Sequence, residues 1–126
     1  MGRGGWGGGG DDGGPFGVRR PLRFLAWKLE LSEEQVGALA KVLADLKTER
    51  AQAAVDERRV TAAFADALGG EAFDKAKAAE AGKLRTDSAE RLRAAVVAAL
   101  EKIHALLEPE QREQLAYLIR TGTLSI

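Results

Sequence analysis

The stretch LSEEQ, residues 31–35, marks the start of a helix. Ser32 is a good N-cap residue, and Gln35, three positions later, can reach back to the backbone of the cap, so that the two form a capping box. The two glutamates between them oppose the positive end of the helix dipole. The pattern predicts a long helix from Ser32 to about Leu68, since no proline interrupts the chain over that length.

A second stretch of this kind, LEPEQ, occupies residues 107–111. Pro109 suits the first position of a helix, because an N–H is not needed for hydrogen bonding there. Gln111 stands at the third helical position, with Glu108 at the cap. The stretch predicts a short last helix that ends at Gly122.

Two long helices joined by a tight turn are predicted between these stretches. Gly69 and Gly70 are the clearest stop in the chain, because glycine can adopt the left-handed conformation that closes a helix. A second long helix is expected from about Glu71 to Leu107. We therefore expect an all-α fold of four helices, in which the two long ones form an antiparallel hairpin capped by short N- and C-terminal helices.

The apolar residues of this hairpin are concentrated at one end, over 36–46 and 92–107, which an antiparallel arrangement makes neighbours. The stretches 47–62 and 76–93 are instead rich in alanine and charge. An arm of that composition is poorly stabilised by its own packing. Either its helices meet along a close alanine seam, or a second subunit covers them. The second possibility is favoured, and it predicts an intertwined homodimer with an isologous interface.

The N-terminal segment differs in composition from the rest. Residues 1–17 hold ten of the fifteen glycines, so they are expected to form a disordered tail or linker, followed by a helical domain over 18–126. Residues 21–30 predict a short amphipathic helix. Its apolar patch either packs onto the core or stays partly exposed as a binding surface.

Composition excludes several classes of function. Lys and Arg balance Asp and Glu at 19 each, so the chain has no overall field to attract nucleic acid or an anionic membrane. Without cysteine there is no thiolate metal site and no cysteine nucleophile. No serine has a histidine partner in a nucleophilic pattern, and no phosphate-binding glycine loop is present. We expect a protein that is not an enzyme and carries no cofactor.

The one histidine, His104, is the candidate metal ligand of the chain. Glu101, His104 and Glu108 fall roughly on one helix face, and a dimer mate could complete the set. Transition-metal sites usually use two or more His or Cys ligands, so a histidine at the edge of the core is the favoured interpretation.

The two stretches and the segments between them resemble the Spy/CpxP family of LTxxQ-motif proteins. The resemblance covers about 22–120 and includes segments 56–59 (DERR) and 72–75 (AFDK). The sequence departs from the family pattern at Ser32 and Glu108, which replace the usual threonines, and in its few Met and His residues. The residues that correspond to the family motif are Leu31, Ser32, Gln35, Leu107, Pro109 and Gln111.

The resemblance implies a four-helix fold, a homodimer, and ATP-independent binding of unfolded or partly folded proteins in the envelope stress response. Other relatives inhibit a sensor kinase or act as heavy-metal sensors and resistance proteins. The implied location is the periplasm. The chain shows no signal peptide, so a cytoplasmic protein or a truncated anchored one is the alternative. No nucleic-acid partner and no direct membrane insertion are expected.

A client-binding surface is expected where basic and apolar side chains mix, because charge speeds capture while modest apolar area gives a weak hold. For any one of these residues the alternative is an ordinary surface charge in an i, i+4 pair. The candidates are Phe24, Leu25, Leu29, Lys47, Arg50, Arg58, Arg59, Phe64 and Arg85.

Overall fold

The computed structural model describes residues 13–125, with side chains from Arg20 onward, and this part of the chain contains four helices and no strand. The helices are α1 (Gly13–Lys28), α2 (Glu33–Gly69), α3 (Lys75–Leu106) and α4 (Pro109–Arg120). The two long helices, α2 and α3, pack against each other. The predicted all-α fold of two long and two short helices is confirmed.

Helix α1 begins earlier than predicted. It starts at Gly13 rather than near residue 21, and Pro21 lies inside it rather than in its first turn. Gly13–Gly17, which composition placed in the tail, are therefore helical, while residues 1–12 of the expected tail lie outside the described part. After α1 the chain turns at Glu30, which adopts a left-handed φ of 54°.

The turn between the long helices is also longer than predicted. Helix α3 begins at Lys75 rather than at Glu71, because Asp74 caps it: the Lys77 N–H donates to Asp74 Oδ1 at 3.0 Å. The Asp74 N–H donates to the carbonyl of Ala67 at 3.1 Å and closes the turn. Neither Gly69 nor Gly70 is left-handed, since the only glycine with positive φ among the described residues is Gly122 at 82°.

The structure forms two compact units, of which the first contains the described residues up to Asp45 and from Ala99 onward. Its core draws on all four helices and on the C-terminal segment, where the Leu124 N–H bonds the carbonyl of Leu118 at 3.1 Å. Each large aliphatic side chain buried here contributes about 1.5–3 kcal/mol. The buried apolar residues are Leu25, Leu29, Leu39, Val42, Ala99, Ile103, Leu107, Leu118 and Leu124.

The second unit, Leu46–Ala98, is the arm of the hairpin. Its buried positions recur at seven-residue spacing, as in Val60 and Ala67 on α2 and Ala81 and Ser88 on α3, which places them on one face of each helix. Ala67, Ala81 and Ser88 are small, whereas the other buried residues of this unit, Leu46, Asp56 and Val60, are larger. Within the chain, the two helices of the arm meet along a seam that contains two alanines and a serine.

Candidate functional site

The first motif forms a complete capping box at the start of α2. The Ser32 N–H donates to Gln35 Oε1 at 2.9 Å, and the Gln35 N–H donates to Ser32 Oγ at 3.1 Å. Ser32 acts as the cap through its side-chain hydroxyl. The predicted role of Ser32 and Gln35 as cap residues is confirmed.

The second motif starts α4 in a related way. The Glu108 N–H donates to Gln111 Oε1 at 2.8 Å, and Pro109 occupies the first helical position. Glu108 has the extended backbone typical of an N-cap, with φ −79° and ψ 160°. The predicted helix start is confirmed.

The two motif glutamines contact each other, although they lie 76 residues apart in the sequence. Gln35 Nε2 donates to Gln111 Oε1 at 2.8 Å and to the carbonyl of Leu106 at 2.9 Å. In return, Gln111 Nε2 donates to Gln35 Oε1 at 3.3 Å and to the carbonyl of Leu29 at 3.1 Å. We call this pair with its six side-chain hydrogen bonds the glutamine clasp.

The glutamine clasp ties helix ends together. Leu29 directly follows α1 and Leu106 ends α3, so their carbonyls are among those that a helix terminus leaves unpaired. Each glutamine amide uses both of its N–H donors and accepts two bonds at its oxygen, which satisfies it fully within a partly buried site. The leucines that begin the two motifs are also shielded from solvent: Leu107 is buried and Leu31 is half-buried. The geometry gives the motif a structural role.

A buried carboxylate interrupts the seam of the arm. Asp56 is only 2% exposed, yet it accepts bonds from Arg91 Nη2 at 2.7 Å and from Gln52 Nε2 at 3.1 Å. A hydrogen bond from Ser88 is the main cause that lowers the pKa of Asp56, with smaller contributions from Gln52 and Arg91. The charge-rich composition of the arm gave no indication that one of its carboxylates is buried.

Three of the predicted client-binding residues already have partners in the arm. Arg85 pairs with Glu57 at 2.5 Å and lies over the half-buried ring of Phe64, 5.3 Å from its centroid. Arg59 Nη1 lies 3.8 Å from the carboxylate of Asp56. These side chains therefore take part in the packing of the arm. The alternative of ion pairs within one helix fits them only in part, because the pair of Arg85 and Glu57 joins α3 to α2.

Other predicted basic residues are differently placed. Arg50 and Arg58 are exposed, and neither forms an ion pair with any residue the structure describes. Lys47, the second residue of the arm unit, is half-buried. Arg50 and Arg58 are therefore the candidates that keep their charge available to a partner.

The apolar candidates in α1 and directly after it divide into two groups. Leu25 and Leu29 are each 4% exposed and belong to the core of the first unit, so the prediction that they bind a client was wrong. Phe24 is half-buried, with its ring centroid 6.3 Å from that of Trp27. Trp27 itself, which was not singled out, is 71% exposed.

Large apolar side chains also point outward from the arm. Leu68 is 74% and Phe73 60% exposed at the tip, and Val55 and Val97 are exposed on its helices. Phe64, one helical turn before Leu68, is half-buried instead. Gly69 and Gly70, which directly follow Leu68, were the available clue to its exposure, because a turn at the helix end leaves no neighbouring helix to cover Leu68.

No metal centre is formed by the side chains that the structure describes. Across residues 20–125 there is no group of three or more His, Asp or Glu side chains that could hold an ion, and Glu101, His104 and Glu108 do not make one. The carbonyl of His104 accepts a bond from Arg112 Nε at 2.9 Å, which links α3 to α4. None of the described helices combines the length and apolarity needed to cross a bilayer.

Comparison with models of known protein families finds a match. The family model described as LTXXQ motif family protein matches residues 18–118, which is most of the chain and includes both motif stretches. Comparisons with curated proteins and with solved structures give no match.

Proposed function

Because the chain belongs to the LTXXQ motif family, the family of Spy/CpxP-like proteins, we propose that it binds unfolded proteins without ATP in the envelope stress response. The proposal is for a binding protein and not for an enzyme. The observation that supports it best is the distribution of apolar side chains in the arm.

That distribution departs from an ordinary helical hairpin, in which the large apolar side chains face the seam. Small residues such as Ala67, Ala81 and Ser88 are buried in the seam, whereas the larger Leu68 and Phe73 are mostly exposed. Exposed side chains of this size can each contribute at most about 1.5–3 kcal/mol when a partner covers them. A few such contacts suit a weak and reversible hold on an extended apolar segment.

Charge on the same unit suits capture. Arg58 follows Val55 by three residues, so the two are neighbours on one exposed helix face. Neither Arg58 nor Arg50 has an ion-pair partner among the described residues, so each can meet a carboxylate on an approaching chain. Such charges raise association rates more than affinity.

The experiment is light scattering of a chemically unfolded client diluted into buffer without ATP. The wild-type protein is expected to suppress aggregation, and a double variant Leu68→Gln with Phe73→Gln to require several-fold more protein. The matched control places glutamine at exposed small positions of the same unit, Ala62→Gln with Ala72→Gln. Absence of suppression by folded wild type, or equal loss in the two variants, contradicts the proposal.

We include a homodimer in the proposal. A second copy of the chain would cover the same exposed apolar side chains of the arm that are proposed to hold a client. Exposed apolar side chains along the arm support it, since a two-fold interface would cover them on both copies. Sedimentation equilibrium of the wild type and the Leu68/Phe73 variant measures this. A monomer at all concentrations that still suppresses aggregation would remove the dimer and keep the chaperone.

The proposed location is the periplasm, as is typical of the family. Fractionation of cells that express the full natural gene, with a cytoplasmic and a periplasmic marker enzyme as controls, tests this. Recovery with the cytoplasmic marker alone contradicts it.

Heavy-metal sensing is the other function known in this family, and it makes a different prediction. Zinc, nickel or cobalt would bind with measurable heat, and His104→Ala would abolish that heat. Titration calorimetry with each metal, run beside the scattering assay, separates the two functions. Metal binding without client binding would replace the chaperone by the sensor.

A further inference from the structure

The balanced charge of the whole chain conceals a local excess in α1. Residues 19–28, RRPLRFLAWK, contain four basic residues and no acidic one. The absence of an overall field therefore does not extend to this helix, because electrostatic attraction near a surface is decided within about one Debye length, roughly 8–10 Å.

The described side chains of α1 are divided between two faces. Leu25, together with Leu29 directly after the helix, is buried in the core, whereas Arg20, Arg23 and Trp27 are exposed. The exposed three follow one another at spacings of three and four, so they lie along one outer stripe of the helix. We call this stripe the basic–aromatic face.

Trp27 is held within this face and still open to solvent. It is 71% exposed, with the ring centroid of Phe24 at 6.3 Å and Lys28 Nζ 5.6 Å from its own centroid. An indole ring beside a cationic group, with an apolar body and a polar N–H, is the type of side chain that concentrates at membrane–water interfaces.

We propose that the basic–aromatic face of α1 docks on the surface of an anionic phospholipid bilayer. Arg20, Arg23 and Lys28 attract the phosphates of the headgroups, and Trp27 enters the interfacial layer. A planar surface is favoured over an acidic peptide because a single convex helix face can lie flat on a plane but offers no groove to hold a strand. The inference does not depend on client binding.

The acidic residues that follow α1 limit the strength of this contact. Glu30, Glu33 and Glu34 are exposed just beyond the helix end, and they are repelled by the same headgroups. The attachment is therefore reversible and weakens as salt rises.

The experiment is co-sedimentation of the full chain with vesicles of phosphatidylcholine alone or mixed with phosphatidylglycerol. In a Trp6→Phe background Trp27 is the single tryptophan, and its emission is expected to shift to the blue only with the anionic vesicles. Each basic residue near an anionic surface contributes about fivefold to partitioning, so Arg20→Gln with Arg23→Gln should weaken binding about 25-fold.

The matched control removes the same charge elsewhere, with Arg50→Gln and Arg58→Gln. Wild-type-like vesicle binding in this control, together with unchanged aggregation suppression in the α1 variant, supports the proposal and separates it from client binding. Failure to sediment with anionic vesicles, or equal losses in the two double variants, overturns it. Binding to polyglutamate without binding to vesicles also overturns it and assigns the face to an acidic polypeptide.

Discussion

The glutamine clasp makes a quantitative prediction about stability. Gln35→Ala and Gln111→Ala each remove four side-chain hydrogen bonds, and the double variant removes six, because the two bonds between the glutamines are shared. A hydrogen bond of this kind contributes about 0.5–1.5 kcal/mol net. Water can replace part of the loss at a partly buried site, so each single variant should lower the free energy of unfolding by about 2–4 kcal/mol.

The two substitutions should also be coupled. The double variant is expected to lose about 1–3 kcal/mol less than the sum of the singles, which corresponds to the two shared bonds. Urea denaturation followed by circular dichroism measures all four free energies of unfolding. Gln114→Ala is the matched control, because Gln114 is an exposed glutamine of α4, and it should change stability by less than about 0.5 kcal/mol. Additive losses, or a Gln114 effect as large as that of Gln111, would refute the clasp.

Three further predictions follow from the arm and the helix ends. Ala81→Leu should overpack the seam and destabilise the protein by about 1–3 kcal/mol in urea denaturation; an unchanged midpoint would mean the helices are loosely packed. Since the bond from Ser88 depresses the pKa of Asp56 in the folded state, its contribution to stability is present above the usual aspartate pKa and is lost as pH falls below it. The urea midpoint of Asp56→Asn should therefore fall less than that of wild type on acidification, and parallel curves would contradict this. Gly122→Ala, at φ 82°, should cost about 1–2 kcal/mol, whereas Gly37→Ala, inside α2 with open space around it, should gain up to about 1 kcal/mol; thermal melts compare the pair, and equal shifts would refute the conformational argument.

What was predictable from the sequence is what depends on near neighbours in the chain. The capping box at Ser32 and Gln35 spans three residues, so its geometry follows from local helix rules, and the structure reproduces it. The start of α3 is local too, and it was missed because Gly69 and Gly70 drew the prediction away from Asp74, a good N-cap residue. A comparison of the glycine pair with Asp74 as signals would have placed the start of α3 correctly.

The remaining features depend on tertiary packing. A capping box accounts for one contact of each motif glutamine, and nothing local indicates that Gln35 and Gln111 meet. The burial of Asp56 is an intermediate case. Asp56 precedes Val60 by four residues, so it falls on the same helix face as the seam. From the sequence alone, the usual preference of aspartate for the surface was a stronger argument than this spacing. Which apolar side chains of the arm face outward depends on which face of each helix packs against the other helix.

The glutamine clasp also has a consequence for the order of folding events. The two capping boxes can form within microseconds as their helices grow, because each involves residues three apart. The clasp joins residues 76 apart and requires both helix starts and both helix ends to be in place. It is therefore among the last contacts to form, and substitutions in it should accelerate unfolding while leaving the folding rate nearly unchanged. In kinetic terms, the clasp sets how long the folded state lasts and has little effect on how quickly it is reached.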